Sequence, residues 1–432
     1  MCISMNVDVF SMDNRLKKSF KNRNMTKNKF PILSDDERQR RWNEIRWRMD
    51  HAGLDCLLVW GNESKWQSAL ANVRYITGRA SPGMVMFPLE GDPILWSGFP
   101  HDVTKWGAMA GGWIEDVRSG QSTTENICET LRENNYAKSR IGVIGFGQTR
   151  PRVIPETVPF QQYSKIRASL EYAKFIDAGW LVEQTRLIKS DEELALLWKS
   201  AELTKAMADA AFEAAQQNVR EFEVYAHMLH ACLVNGGEED MIWISSGANP
   251  PPHAKRPPAS KRKLKKGDTI VTEYHACYEG YLTGAEISFS IGNPSSDKYR
   301  KIYKSCTESQ RSGIAAMQPG NYLKDAVKGF REPIMNANLA SVECGLHGHG
   351  LASPEFPSCM YGGDSGAWHN HPYARVPKIK FQENMVFATA SDLFDPKWKH
   401  DTGLMLGRTV LITKEGPKEM TGLSLSQDLP IV

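Results

Sequence analysis

The sequence predicts an α/β domain over about residues 31–185 followed by an α+β domain over 186–432, behind a polar arm at 1–30. Three observations carry this. Apolar runs of strand length alternate with helix-period segments before residue 180, the pattern of an α/β layer. Ser190 followed by Glu193 forms a capping box that opens a long helical segment and marks a new domain. Beyond it, Gly267–Gly292 reads as a hairpin, with strands on either side of a Tyr-Glu-Gly-Tyr turn at Tyr278–Tyr281.

Each element follows from local signals. Asp35, Asp36 and Glu37 put negative charge on the first turn of an amphipathic helix that runs to about His51. Asp55–Trp60 (DCLLVW) reads as a buried strand, Met84–Phe87, Pro93–Trp96 and Arg140–Ile144 as further strands, and Thr123–Asn134 as a helix. Trp60, Trp66, Trp96, Trp106 and Trp113 fall in this region, as core or as the lip of a pocket. The helix capped at Ser190 continues to about Gln217, and another covers Glu221–Val234. A strand at Met241–Ser245 and a proline-rich loop at Ala248–Pro258 lead into the hairpin. Helices are expected at Asp297–Met317 and Tyr322–Ala337, and strands at Met385–Ala390 and Leu404–Thr413.

At 432 residues the chain is long enough for two cores, and 24% charged residues are ordinary for a globular protein. A net charge of +3 is too slight to argue for nucleic acid, and none is expected as a partner. The basic run Lys255–Lys266 has no interleaved aromatics for stacking bases and reads as a solvated loop. The eight cysteines include no C-x-x-C pair, which fits reduced thiols and a cytoplasmic location. No apolar run approaches membrane-spanning length, so no membrane partner is expected. Met1–Lys29 lacks the apolar core of a signal peptide and reads as a loosely attached arm.

The hairpin GDTIVTEYHACYEGYLTGAEISFSIG resembles the metal hairpin of the creatinase/aminopeptidase P/methionine aminopeptidase superfamily. The run Arg186–Glu193 (RLIKSDEE) is similar to the start of the catalytic domain in that family. The resemblance spans about residues 35–425 and implies a pita-bread α+β fold for the C-terminal domain, and a homodimer. It also implies five positions that hold two metal ions with Asp, Asp, His, Glu and Glu. Here they read Glu273, Gly284, His349 within Leu346–Pro357 (LHGHGLASPEFP), Ala390 and Gly407. Glycine and alanine have no donor, so the resemblance points to the metal-free branch, with neither metal nor cofactor.

Creatinase and ectoine hydrolase, the metal-free relatives, imply roles for what remains. The loop Ser245–His253 (SSGANPPPH) is similar to the creatinase loop that presents a catalytic histidine, here His253. Glu286 falls where creatinase places a substrate-binding Glu, and Glu273 where ectoine hydrolase has its catalytic Glu. A histidine near neutral pKa can take a proton from water and return it to a leaving nitrogen, and a carboxylate in a dry pocket can act as nucleophile or base. The expected activity is metal-independent hydrolysis of a C–N bond, of amidine, guanidino or cyclic amide type, in a small polar nitrogen compound. His253, Glu273 and His349 are the expected catalytic residues, with Glu286, His275, His369 and His371 binding substrate. His275, two after Glu273, points to the same side of the strand. His369 and His371 read as pocket lining beside Trp368 and Tyr373. Three alternatives stay open: a lyase acting on a small zwitterion such as dimethylsulfoniopropionate, a catalytically inactive binding module, and a mononuclear metal site. That last would draw on His347, His349, His369, His371, Asp392, His400 and Asp401.

Overall fold

The computed structural model describes residues 30–62, 67–78, 82–98, 112–119, 123–146, 157–255, 258–361 and 378–432. Ile32–Val432 forms one compact unit.

Helix α1 (Asp35–Ala52) starts at the acidic turn: the Ser34 side chain accepts from the Glu37 amide, and Gly53 closes the helix at φ 61°. Its inward face carries Arg41, which is fully buried and donates to Glu37 at 2.7 Å and to the Tyr281 hydroxyl at 2.6 Å. Glu193 lies 3.6 Å from the same guanidinium, so a buried cation is matched by two buried carboxylates.

There follow β1 (Cys56–Gly61), α2 (Ala71–Thr77), β2 (Gly83–Pro88), β3 (Ile94–Ser97), β4 (Asp116–Arg118), α3 (Thr123–Glu133) and β5 (Arg140–Ile144). Then come α4 (Phe160–Ser169), β6 (Lys174–Asp177) and α5 (Gly179–Thr185). The sheet runs β4-β3-β2-β1-β5-β6. β1 is its inner strand, antiparallel to β2 and parallel to β5. Leu57 and Val59 enter one core while Cys56, Leu58 and Trp60 enter another on the opposite face. Burial on both faces explains an unbroken apolar run rather than an alternating one. Trp60 and Trp96 are core; Trp66 and Trp106 lie outside the described residues.

Helix α6 (Asp191–Ala214) opens with the expected capping box: the Glu193 amide donates to Ser190 Oγ at 3.1 Å and the Ser190 amide to Glu193 Oε2 at 2.9 Å. It stops at Ala214, short of Gln217, and α7 (Glu221–Leu233) follows. β7 (Ile242–Gly247), β8 (Thr269–Tyr278) and β9 (Tyr281–Ser290) form one antiparallel sheet. The β8–β9 turn places Glu279 at φ 47° and Gly280 at φ 76°, the left-handed pair that a tight hairpin requires.

Helices α8 (Lys298–Ala315) and α9 (Leu323–Asn336) lead to β10 (Ala340–Gly348), β11 (Glu355–Tyr361), β12 (Val386–Phe394), β13 (Gly403–Met405), β14 (Arg408–Thr413) and β15 (Gly416–Glu419). The second sheet of this half runs β11-β10-β12-β14-β15, with β13 on β12. Glu286 of β9 and Gly407 exchange backbone hydrogen bonds at 3.1 Å, which zips the two sheets together. Leu197 and Met207 of α6 share a core with Ile270 and Ile287, while Tyr299 of α8 and Phe330 of α9 share another with Leu346 and Phe387. Helices thus cover one face of these strands and leave the other for polar residues. The described cysteines are free and buried, and no helix among the described residues is long and apolar enough to cross a membrane.

Candidate active site

Strand register assembles the site. In the hairpin Glu273 stands opposite Glu286 and His275 opposite Gly284. In the other sheet Glu343 stands opposite Asp392, Gly345 opposite Ala390 and His347 opposite Ala388. Period-two alternation puts 273, 275, 284 and 286 on one face of the hairpin. The Glu286–Gly407 zipper then brings that face against β12.

An acidic pole forms where these strands meet. His253, delivered by the proline-rich loop after β7, bonds through Nδ1 to Asp392 Oδ2 at 2.6 Å, and its Nε2 lies 3.7 Å from Glu273 Oε2. Trp243, the cross-strand neighbour of Glu273, packs edge-on against the His253 ring at 5.5 Å. Asp392 is fully buried and Glu286 is 7% exposed. Burial, followed by the negative charges of Asp392, Glu273 and Glu343, pushes the Glu286 carboxyl well above the ordinary carboxylate range. His253 Nε2, Glu273 Oε2 and Glu286 Oε2 are buried atoms without a hydrogen-bond partner. His253, Glu343 and Asp392 each offer a ligand atom, and the three atoms lie within 4.8 Å of one another.

An imidazole pole lies next to it. His275 Nδ1 faces Asp240 Oδ2 at 3.1 Å and its Nε2 faces Ser353 Oγ at 3.4 Å. Its ring centroid is 5.2 Å from that of His349, which is 5.8 Å from that of His347. His349 is fully buried, with Nδ1 at 3.5 Å from Thr409 Oγ1 and Nε2 without a hydrogen-bond partner. Burial first, then His275, His347 and Lys189, hold its pKa well below the usual histidine range, so the ring is neutral at physiological pH.

The two glycines among the five ligand positions are filled from the side. A Cβ on Gly284 would run into the His275 ring, and one on Gly407 would stand 2.3 Å from the Thr389 carbonyl oxygen and 2.7 Å from Glu286 Oε2. The space a side chain would take therefore holds an imidazole at Gly284, and a backbone carbonyl with a carboxylate at Gly407.

Of the residues singled out from sequence, His253, Glu273 and Glu286 meet in the acidic pole, and His275 and His349 in the imidazole pole. Glu286 faces the interior, since β9 is buried along its whole length. His369 and His371 lie outside the described residues, while His400 and Asp401 are exposed. Glu343 was not foreseen; only its pairing with Asp392 brings it in. Asp240 was also missed, and its one signal is the acidic run Glu238–Asp240 just before β7.

Comparison with known proteins sets this cleft in a family. The sequence model of the creatinase/prolidase N-terminal domain matches residues 41–188, and that of metallopeptidase family M24 matches residues 195–414, just over half of the chain. The chain is 24% identical over 328 residues to a Xaa-Pro dipeptidase of Pyrococcus furiosus, covering 72% of this chain and 88% of that protein. Its fold is similar to that of a solved Xaa-Pro dipeptidase from Bacillus anthracis (TM-score 0.70, 20% identity, 91% of this chain and 100% of that one). It is also similar to an X-Pro aminopeptidase from Thermotoga maritima (TM-score 0.70, 19% identity, 90% and 99%). The fold is thus the expected one, an α/β creatinase-type N-terminal domain and a pita-bread C-terminal domain. The expectation of a metal-independent enzyme opening a non-peptide C–N bond is corrected: the matching family is one of metallopeptidases and the similar proteins are peptidases. The lyase and the inactive binding module fall with it. That expectation rested on the missing donors at Gly284, Ala390 and Gly407 and on the likeness of His253, Glu273 and Glu286 to residues of the metal-free relatives. With models matched across both halves, the chain belongs to metallopeptidase family M24, a family of hydrolases.

Proposed function

We propose that this chain is a prolidase-like hydrolase that cleaves a peptide bond in short Xaa-Pro substrates with the help of a divalent cation. The observation that carries the reading is the acidic pole. It sits on the strands that bear the family's ligand positions and presents buried donor atoms with no hydrogen-bond partner. The likeness to Xaa-Pro dipeptidases supports the substrate class.

The residues fit one cation better than two. Gly284, Ala390 and Gly407 supply no donor at three of the five positions, so the two-ion arrangement implied by the resemblance does not fit. The acidic pole does fit a single cation: carboxylates gathered close together, with unsatisfied oxygens and a nitrogen, are what a divalent ion neutralises. When bound, such an ion polarises the scissile carbonyl and acidifies water.

The side chains have their own work. Glu273, about a fifth exposed and with Oε2 3.7 Å from His253 Nε2, accepts the proton of the attacking water. As water oxygen bonds to the carbonyl carbon, the C–N bond breaks and the proton passes from Glu273 to the leaving nitrogen. A peptide nitrogen, tertiary in an Xaa-Pro bond, is a very poor leaving group as an anion, so it must receive this proton as the bond breaks. Asp392 holds His253 Nδ1 and so fixes the direction of Nε2. Neutral His349 supplies a hydrogen-bond partner to the substrate from the far pole.

The test is release of free proline from a panel of Xaa-Pro dipeptides, beside matched Xaa-Ala dipeptides. The protein is assayed as purified, after chelation, and after return of Mn²⁺, Zn²⁺ or Co²⁺. Cation-dependent proline release supports the proposal. Absence of peptide cleavage with every cation, or turnover indifferent to chelation, overturns it.

A further inference from the structure

We infer that the chain binds one divalent cation at a site displaced along the strands from the family's ligand positions, held by His253, Glu343 and Asp392 with Glu286 beside them. The inference rests on the metal-dependent reading above and names its ligands.

Three observations support it. First, the donor atoms of His253, Glu343 and Asp392 lie within 4.8 Å of one another. Ligands bound to one ion at about 2.0–2.4 Å are separated by no more than roughly twice that distance, so the group can close on a single ion with little movement. Second, Glu286 is more than nine-tenths buried, its Oε2 has no hydrogen-bond partner, and it stands directly opposite Glu273 in the hairpin register. A buried, unsatisfied carboxyl aimed at other carboxylates costs free energy unless a cation joins them. Third, the donors are displaced coherently. Glu286 lies two residues after Gly284 on β9, and Asp392 two residues after Ala390 on β12. A step of two keeps the side chain on the same face and moves it about 6.6 Å along the strand. Both sheets have made the same step, so the shifted carboxylates meet each other, and His253 joins them from its loop.

One imidazole among carboxylates is a mixed set that suits Mn²⁺, Fe²⁺ or Zn²⁺. Mn²⁺ is the practical probe, because its electron paramagnetic resonance signal is lost from the free-ion pool on binding. Titration of the chelated full chain is expected to saturate at one Mn²⁺ per chain. Asp392→Asn and Glu343→Gln should each weaken binding about tenfold or more, and His349→Ala should leave it unchanged. Glu343→Gln alters the less buried partner and guards against a folding defect at Asp392; circular dichroism checks both variants. Two ions per chain, no saturable binding, or loss of binding in His349→Ala with none in Glu343→Gln overturns the site. The two proposals separate cleanly. One tight Mn²⁺ without peptide cleavage keeps this site and removes the peptidase reading. Cation-dependent cleavage that survives in both carboxamide variants keeps the peptidase reading and removes this site.

Discussion

Gly284 and Gly407 are constrained by what leans over them. His275 covers the first, and the Thr389 carbonyl together with Glu286 the second, so the family's carboxylates cannot be restored there by a single change. Gly284→Asp must displace the His275 ring and break its contact with Asp240, and should lower stability by about 1–3 kcal/mol, as overpacking does. Removing the ring first makes room. His275→Ala and Gly284→Asp should therefore couple in a urea-unfolding cycle, the double variant being more stable than the sum of the single losses. Strict additivity would mean that the ring does not hold the space. The absence of donors at these positions was legible in the sequence. What fills them was not, because alternation tells which side His275 takes but only register sets it opposite Gly284. Glu343 is a sharper case: in ASVECGLHG nothing marks it apart from a surface residue, and its role appears only through pairing with Asp392 across two strands.

Among the elements, those with local signals came out near their expected bounds: α1 from its acidic turn, α6 from its capping box, the β8–β9 hairpin from its turn. β10 and β11 carried no such local signal, and β10 is fixed instead by pairing with β11 and β12; long-range ion pairs add to this. One such pair anchors β11 to the segment before α6. Glu355 receives Lys189 Nζ at 2.8 Å and lies 3.3 Å from Arg186 Nε, all three buried. Burial alone would raise the Glu355 pKa, but Lys189 and Arg186 outweigh it and hold the group below the ordinary range. A depressed folded-state pKa means that the carboxylate stabilises the fold above its unfolded value of about 4.3 and loses that contribution as pH falls through the folded value. Glu355→Gln leaves two buried cations without their anion and should cost about 3–5 kcal/mol near neutral pH. In urea unfolding followed from pH 7 to pH 3, the gap between wild type and variant should narrow below about pH 4. A gap that stays constant would show that the carboxylate's charge does not contribute.

At the scale of the whole molecule, the acidic pole gathers residues from the loop after β7, from both hairpin strands, and from β10 and β12. A cation there links segments that are distant in sequence and lie in two different sheets. The N-terminal sheet, β1 to β6, contributes nothing to the pole. Because the unfolded chain has no such constellation, binding stabilises the native state by RT ln(1 + [L]/Kd), about 2.7 kcal/mol at a hundredfold excess over Kd. That stabilisation should be unevenly distributed. In hydrogen exchange, Mn²⁺ is expected to slow amides of β8, β9, β10 and β12 together, and to leave β1, β2 and β5 close to their metal-free rates. The zipper between Glu286 and Gly407 makes the joint response necessary, since β9 cannot open at that point without freeing Gly407 beside β12. Protection confined to a single sheet would mean that the ion does not bridge the two. Equal protection everywhere would instead report a global shift in stability, with no local clamp at the acidic pole.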